Sequence, residues 1–165
     1  MVHNTTALGR LYPYMLLRYC THMEPGLIRV SVVTFLHDGA GKYLIGKRSQ
    51  NCRDEKGVWE PLGSGALRFG ETVVQGALRE VKEEACAAAT NLEFMGYRDV
   101  HRTQAGENTH WIALDFRAKV DPKDVSIGEP HKCDEIRRVT TLELQTMDTL
   151  HSQFPLFLEK YKAIL

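Results

Sequence analysis

The 165-residue chain has no long apolar run, no excess of charge of either sign, no Cys-x-x-Cys pair and no internal repeat. Each absence removes a class of function. A membrane-spanning helix needs about 20 consecutive apolar residues. The only apolar cluster near the start, Tyr14-Met15-Leu16-Leu17, is interrupted by Arg10, Pro13 and Arg18 and is too short for a strong secretory segment. With 21 basic and 21 acidic residues, binding to a large nucleic acid through its phosphates is not expected, whereas a local cluster would suffice for a small anion. Cys20, Cys52, Cys86 and Cys133 lie far apart and read as free thiols in a reducing compartment, so a cytoplasmic location is expected. Cys133 follows His131 by two, but no second pair at ligand spacing accompanies it, and a zinc site is not expected.

What is present suits one ordinary globular domain. The chain is 43% hydrophobic and 25% charged, and it is too short for two domains of usual size. Residues 1 to 24 fall outside the main pattern and read as an N-terminal extension, docked or unordered, leaving 25 to 165 as the domain. LIRVSVVTFLH (27 to 37) is rich in β-branched residues. Asp38-Gly39-Ala40-Gly41 then turns the chain into Tyr43–Arg48, which predicts a hairpin. A polar loop leads to Trp59-Glu60-Pro61-Leu62 and to Gly63-Ser64-Gly65. A helix is expected from Glu71-Thr72 to the alanines near 88, strands over 92 to 102 and 109 to 116 with a loop between, a short strand near 136 to 139, and a helix from 154 to 165. That order predicts an α+β sandwich rather than a regular βαβ array.

On the first helix Glu80, Glu83 and Glu84 fall within about 100° of arc, while Val74, Ala77, Leu78, Val81, Ala85 and Ala88 form the opposite stripe. Carboxylates at these spacings repel one another unless a cation neutralises them. Taken alone, such a turn is more often a solvated face, eased here by Arg79 and Lys82. If the cation is a metal, several carboxylate oxygens without histidine or thiolate match Mg²⁺, with Mn²⁺ as the alternative. Mg²⁺ commonly holds substrate phosphates, so the chemistry implied is cleavage at a phosphoanhydride.

The full stretch resembles the signature of the Nudix hydrolase superfamily. Gly65, Glu71, Arg79, Glu80, Val81, Glu83, Glu84 and Ala87 occupy its positions, and Cys86 stands where glycine is expected. Because cysteine tolerates a left-handed turn poorly, Cys86 is expected to stay helical, with the exit delayed toward Thr90-Asn91. The resemblance extends over about residues 27 to 163 and implies a mixed sheet between helices, an α/β/α sandwich. It also implies that Glu80, Glu83, Glu84 and the Gly65 carbonyl hold Mg²⁺. Glu71 and Arg79 would pair to brace the catalytic loop, and Glu80 would orient or deprotonate the water, with Glu129, Asp134 and Glu135 as alternative bases.

Arg48, Arg53 and Arg68 are candidates for substrate phosphates, each equally readable as a surface arginine. Trp59, Tyr97 and Trp111 are candidates for stacking on a base, although aromatics in strands are more often core. His101 and His110 lean toward structural roles. Ile136 and Arg138 replace the aromatic residues of many oxidised-nucleotide hydrolases, so no base clamp is expected there. The function expected is Mg²⁺-dependent hydrolysis of a nucleoside diphosphate linked to another group: a nucleoside triphosphate, ADP-ribose or a nucleotide sugar. The partner is thus a small nucleotide, and a homodimer is compatible with the sequence. The alternatives are a nucleotide sensor without catalysis and an isoprenoid diphosphate isomerase, which no cysteine context supports.

Overall fold

The computed structural model describes residues 27 to 165 except position 105. The extension expected over residues 1 to 24 lies outside the described residues. In chain order the elements are β1 (Ile28–His37), β2 (Tyr43–Arg48), β3 (Trp59–Pro61), β4 (Ser64–Ala66), α1 (Val73–Ala85), β5 (Thr90–Gln104), β6 (Glu107–Lys119), β7 (Cys133–Val139), α2 (Thr141–Gln145) and α3 (Phe154–Tyr161). The seven strands form one mixed sheet. Along its main path the order is β3-β2-β1-β6-β5, with β4 antiparallel on β1 and β7 antiparallel on β2. β1 and β6 run parallel over ten paired positions, from Ile28 opposite His110 to His37 opposite Lys119. The sheet is therefore an α+β arrangement, as expected.

Alternation along the strands builds a core on each face. Phe35, Tyr43 and Ile45 point to one side, where Trp59, Leu144, Phe154, Phe157 and Tyr161 pack on them beneath α2 and α3. Leu36 and Leu44 point to the other, against Val81 and Ala85 of α1. Asp115 is fully buried between β6 and α3. It accepts two bonds from the Arg98 guanidinium at 2.7 and 2.8 Å and one from the Tyr161 hydroxyl at 2.8 Å, so no lone charge is left in the core.

Several expectations are corrected. The helix α1 ends at Ala85 rather than near 88, because Cys86 adopts the left-handed conformation at φ +56° and closes it. The exit is thus where the signature places glycine, not delayed toward Thr90-Asn91. Loop residues 126 to 128 cap that end: the Ser126 and Gly128 amides donate to the Ala85 and Glu84 carbonyls at 3.0 Å each. The apolar stripe is also rotated from its expected position. Val74 and Leu78 are exposed, and Gly76, Ala77, Glu80, Val81 and Ala85 face inward. Gly76 allows this close docking, since a Cβ there would come within 2.6 Å of Leu67 Cδ1. β3, β4 and α2 were not anticipated, and the loop expected between 103 and 108 is mostly ladder, pairing Thr103 with Asn108 and Gln104 with Glu107.

Candidate active site

The start of α1 is fixed by a capping box. The Thr72 hydroxyl accepts from the Gln75 amide at 3.2 Å, and the Gln75 side chain accepts from the Thr72 amide at 2.8 Å. Two turns later the helix presents its carboxylates beneath β4. Glu80 is only 6% exposed, and its carboxyl group lies against the α-carbon of Gly65, where any Cβ would collide with all three carboxyl atoms. Gly65 is thus a gap in the strand that a carboxylate fills.

Arg79 organises the turn. Its guanidinium donates to Glu71 at 2.6 and 3.0 Å, to Glu83 at 3.0 Å, to Glu80, and to the Ala66 carbonyl at 3.1 Å. The expected pairing with Glu71 is therefore present in the structure. This bond, followed by one from the Arg68 amide, holds the Glu71 carboxyl down to about 2. Arg68 makes a two-oxygen contact with Glu83 at 2.9 and 3.0 Å on the exposed side. Glu84 turns the other way, accepting from the Gly63 and Ser64 amides at 2.7 and 3.0 Å. Desolvation, reinforced by nearby Glu60 and Glu80, outweighs these amides and pushes the Glu84 carboxyl up to about 8.

Three hard-oxygen donors on one turn, one of them reluctant to carry its charge without a counterion, suit a divalent cation chemically. Among the described residues, however, no three of His, Cys, Asp and Glu are arranged as a metal's ligand set. The reason is visible in the contacts: guanidiniums neutralise Glu80 and Glu83, and Glu84 is engaged by backbone amides. The pair between Glu83 and Arg68 is the solvent-exposed one and the easiest to exchange for an ion.

Two cavities meet beside this turn. The larger, about 480 Å³, is lined by Arg48, Glu84, Glu129 and Lys132 among others. The smaller, about 220 Å³, lies between the sheet and α3 and is lined by Gly65, Arg98, Val100, Arg102, Trp111 and Phe157 among others. Arg53, Glu60, Pro61 and Ser64 line both.

The substrate candidates separate accordingly. Arg53 is exposed at the junction. Arg48 is instead engaged with Glu60 at 2.8 and 2.9 Å and with Asp54 at 2.8 Å, and Arg68 is engaged with Glu83. Trp59 belongs to the core, 4% exposed, with the Arg137 guanidinium 4.5 Å from its ring centre, so its expected role in stacking gives way to packing. Trp111 lines the smaller cavity, whereas Tyr97 lies outside both, beside Lys160. Of the alternative bases, Glu129 lines the larger cavity and is paired with Lys132 at 2.7 Å; Asp134 and Glu135 line neither cavity. His101 and His110 stack on each other, 4.1 Å apart, with His110 Nε2 3.2 Å from Asp99, and line neither cavity.

Glu60, Arg102 and His151 were not singled out in the sequence. Glu60 had a signal, an acid beside the Trp59-Pro61 pair just before the glycines; Arg102 and His151 are brought in by long-range pairing with Glu55.

A profile of the NUDIX domain matches residues 27–159, most of the chain. The chain belongs to the Nudix family. With the family comes the expected enzyme class, a Nudix hydrolase. Nudix hydrolase 5 of Arabidopsis thaliana is 28% identical over 74 residues, 45% of this chain and 24% of its own length, so the chain spans about a quarter of that relative. An uncharacterised Nudix hydrolase of Listeria innocua is 25% identical over 135 residues, 82% of this chain and 77% of its own. Among solved structures, the MutT protein of Methanosarcina mazei superposes with a TM-score of 0.72 at 24% identity, covering 86% of this chain and 97% of that one. The NUDIX domain of Shewanella oneidensis NrtR, solved with ADP-ribose, gives 0.64 at 17% identity, covering 89% and 96%. These likenesses establish the fold, an α+β Nudix sandwich. Among the described residues no helix is long and apolar enough to cross a membrane.

Proposed function

We propose that this Nudix protein hydrolyses a phosphoanhydride bond in a nucleoside diphosphate linked to another group, with Mg²⁺ as its metal and Mn²⁺ as an alternative. The observation that carries the reading is the single helical turn bearing Glu80, Glu83 and Glu84, with Glu80 seated under Gly65 and braced by Arg79. Glu80, Glu83, Glu84 and the Gly65 carbonyl would hold the ion, which when bound supplies charge for the phosphate oxygens and acidifies water. The chain's own residues do the rest. Arg79 and Glu71 fix the turn against β4, and Glu84 ties the Gly63–Ser64 amides to it. Glu80 or Glu129 takes the proton from the attacking water; the bridging P–O bond breaks and its electron pair leaves with the departing phosphate. Arg53, at the wall shared by both cavities, offsets the charge of the substrate phosphates.

Two cavities joined at the acidic turn suit a substrate with a group on each side of its diphosphate. The smaller, with Val100, Trp111 and Phe157, suits a nucleobase; the larger, more polar one suits a second, hydrophilic group. The likeness to a NUDIX domain solved with ADP-ribose supports the same class. Under this reading the protein works in the cytoplasm on a small nucleotide, and its assembly as a monomer or homodimer is read by light scattering.

The test is a screen with and without Mg²⁺ across nucleoside triphosphates, ADP-ribose, nucleotide sugars and dinucleoside polyphosphates, products identified by mass. Glu83→Gln and Glu84→Gln should each cut turnover by orders of magnitude while the protein stays folded. Near-normal rates in both would sink the metal assignment, and binding without any product would favour a sensor.

A further inference from the structure

The loop between β2 and β3 holds more charge pairing than a surface turn needs. Glu55 sits at φ +42°, a left-handed conformation that a non-glycine residue rarely adopts. Its carboxylate is gripped from two other parts of the fold. The Ser152 amide and hydroxyl donate to it at 2.7 and 2.8 Å, His151 Nε2 lies 3.3 Å away, and Arg102 of β5 reaches it and, at 2.9 Å, Asp54. Asp54 is also bound by Arg48 at 2.8 Å, whose guanidinium donates to the Asp54 carbonyl at 3.0 and 3.2 Å and to the Glu55 carbonyl at 3.2 Å. The residue just before these anchors is Arg53, which has no hydrogen bond or ion pair among the described residues and lines both cavities where they meet.

We infer that Glu55, Arg102 and Ser152 form a clamp whose role is to present the Arg53 guanidinium to the diphosphate of the ligand, making them positioning residues for substrate affinity. The inference rests on the reading that a diphosphate lies at the junction of the two cavities. A loop fixed at three points around a strained residue leaves two flanking cations, Arg53 and Lys56, without an ion pair among the described residues, and of the two only Arg53 lies on the wall shared by the two cavities described. Fixing the loop beforehand means that the ordering cost is not incurred when the ligand binds. A purely structural clamp would stabilise the fold without regard to Arg53, and that difference is measurable.

The probe is inorganic pyrophosphate with Mg²⁺, titrated by calorimetry, so that no turnover is needed. Loss of one charged contact to an anion should weaken binding by about tenfold or somewhat more. Arg53→Ala should show that loss, Glu55→Ala a similar one, and the double variant Arg53→Ala/Glu55→Ala no more than Arg53→Ala alone. Glu55→Gln, which removes the charge and keeps a partner for Ser152, serves if the alanine variant unfolds. Multiplying losses in the double variant, unchanged affinity in Glu55→Gln, or no binding of pyrophosphate by the wild-type protein would each overturn the inference. If pyrophosphate binding follows the expected pattern but no nucleotide is cleaved, the hydrolase reading falls and the clamp stands.

Discussion

Replacing Gly65 with alanine isolates the seat of Glu80. The backbone of Gly65 is ordinary extended strand, paired with Val32, so alanine introduces no conformational strain. The only change is a methyl group placed on the Glu80 carboxyl. Carbon and oxygen atoms settle at about 3.5 Å, so the carboxylate must withdraw by about 1 Å, with Arg79 bonded to it. A displacement of that size in a catalytic group costs on the order of a hundredfold in rate, about 2.7 kcal/mol of transition-state stabilisation. The assay is kcat/KM on whichever nucleotide the screen identifies, at saturating Mg²⁺, with Mn²⁺ affinity measured by electron paramagnetic resonance and folding by thermal denaturation. The expected result is a large loss of rate and weakened Mn²⁺ binding, with the melting temperature little changed. Rates within threefold of wild type would refute the claim that Glu80 must occupy the gap at Gly65.

Three further outcomes follow from the same contacts. Cys86 bears a side chain in the left-handed region at φ +56°, so Cys86→Gly should stabilise the fold by about 1 kcal/mol, seen as a melting temperature a few degrees higher; no rise would mean that the site has relaxed around cysteine. Glu84 is held up to about 8 in the folded chain against about 4.5 for a free glutamate, so folding favours its protonated form. That stability is fully present below about pH 4.5 and is lost as pH rises toward 8, amounting to at most a few kcal/mol at about 1.4 kcal/mol per pKa unit. Denaturant titrations of metal-free protein should show the decline, and Glu84→Gln should flatten it; a flat wild-type profile would contradict the burial argument. Glu71→Gln should free the Arg79 guanidinium from its main partner and lower kcat by about tenfold or more, read beside unchanged circular dichroism.

The acidic turn was legible because its chemistry is local: residues within one turn must lie side by side whatever the rest of the chain does. The start of α1 near Glu71-Thr72 was legible in the same way, although its capping box was not. The helix's rotation was not, because it depends on Gly76 meeting Leu67, and hydrophobic periodicity alone placed Val74 and Leu78 inward. Cys86 misled for a related reason. Cysteine disfavours the left-handed turn by its own propensity, but the loop at 126 to 128 closes on the helix end and outweighs that preference. The short strands β3 and β4 have three residues each and no pattern of their own; they exist because β2 and β1 offer edges to them. The same holds for the wall of the cavities, where Arg102 and His151 reach Glu55 from positions roughly 50 and 100 residues along the chain.

The parallel pairing of β1 with β6 also governs how the chain must fold. Each residue of β1 waits for a partner about eighty positions later, as Ile28 does for His110, and the whole acidic turn lies in the intervening segment. Long-range closures of this kind slow folding and leave apolar strands uncovered meanwhile. The acidic turn and its partner strand β4, which pairs with β1, are thus synthesised before β6 exists, so the carboxylates can be brought against Gly65 while the parallel edge of β1 still waits for its partner.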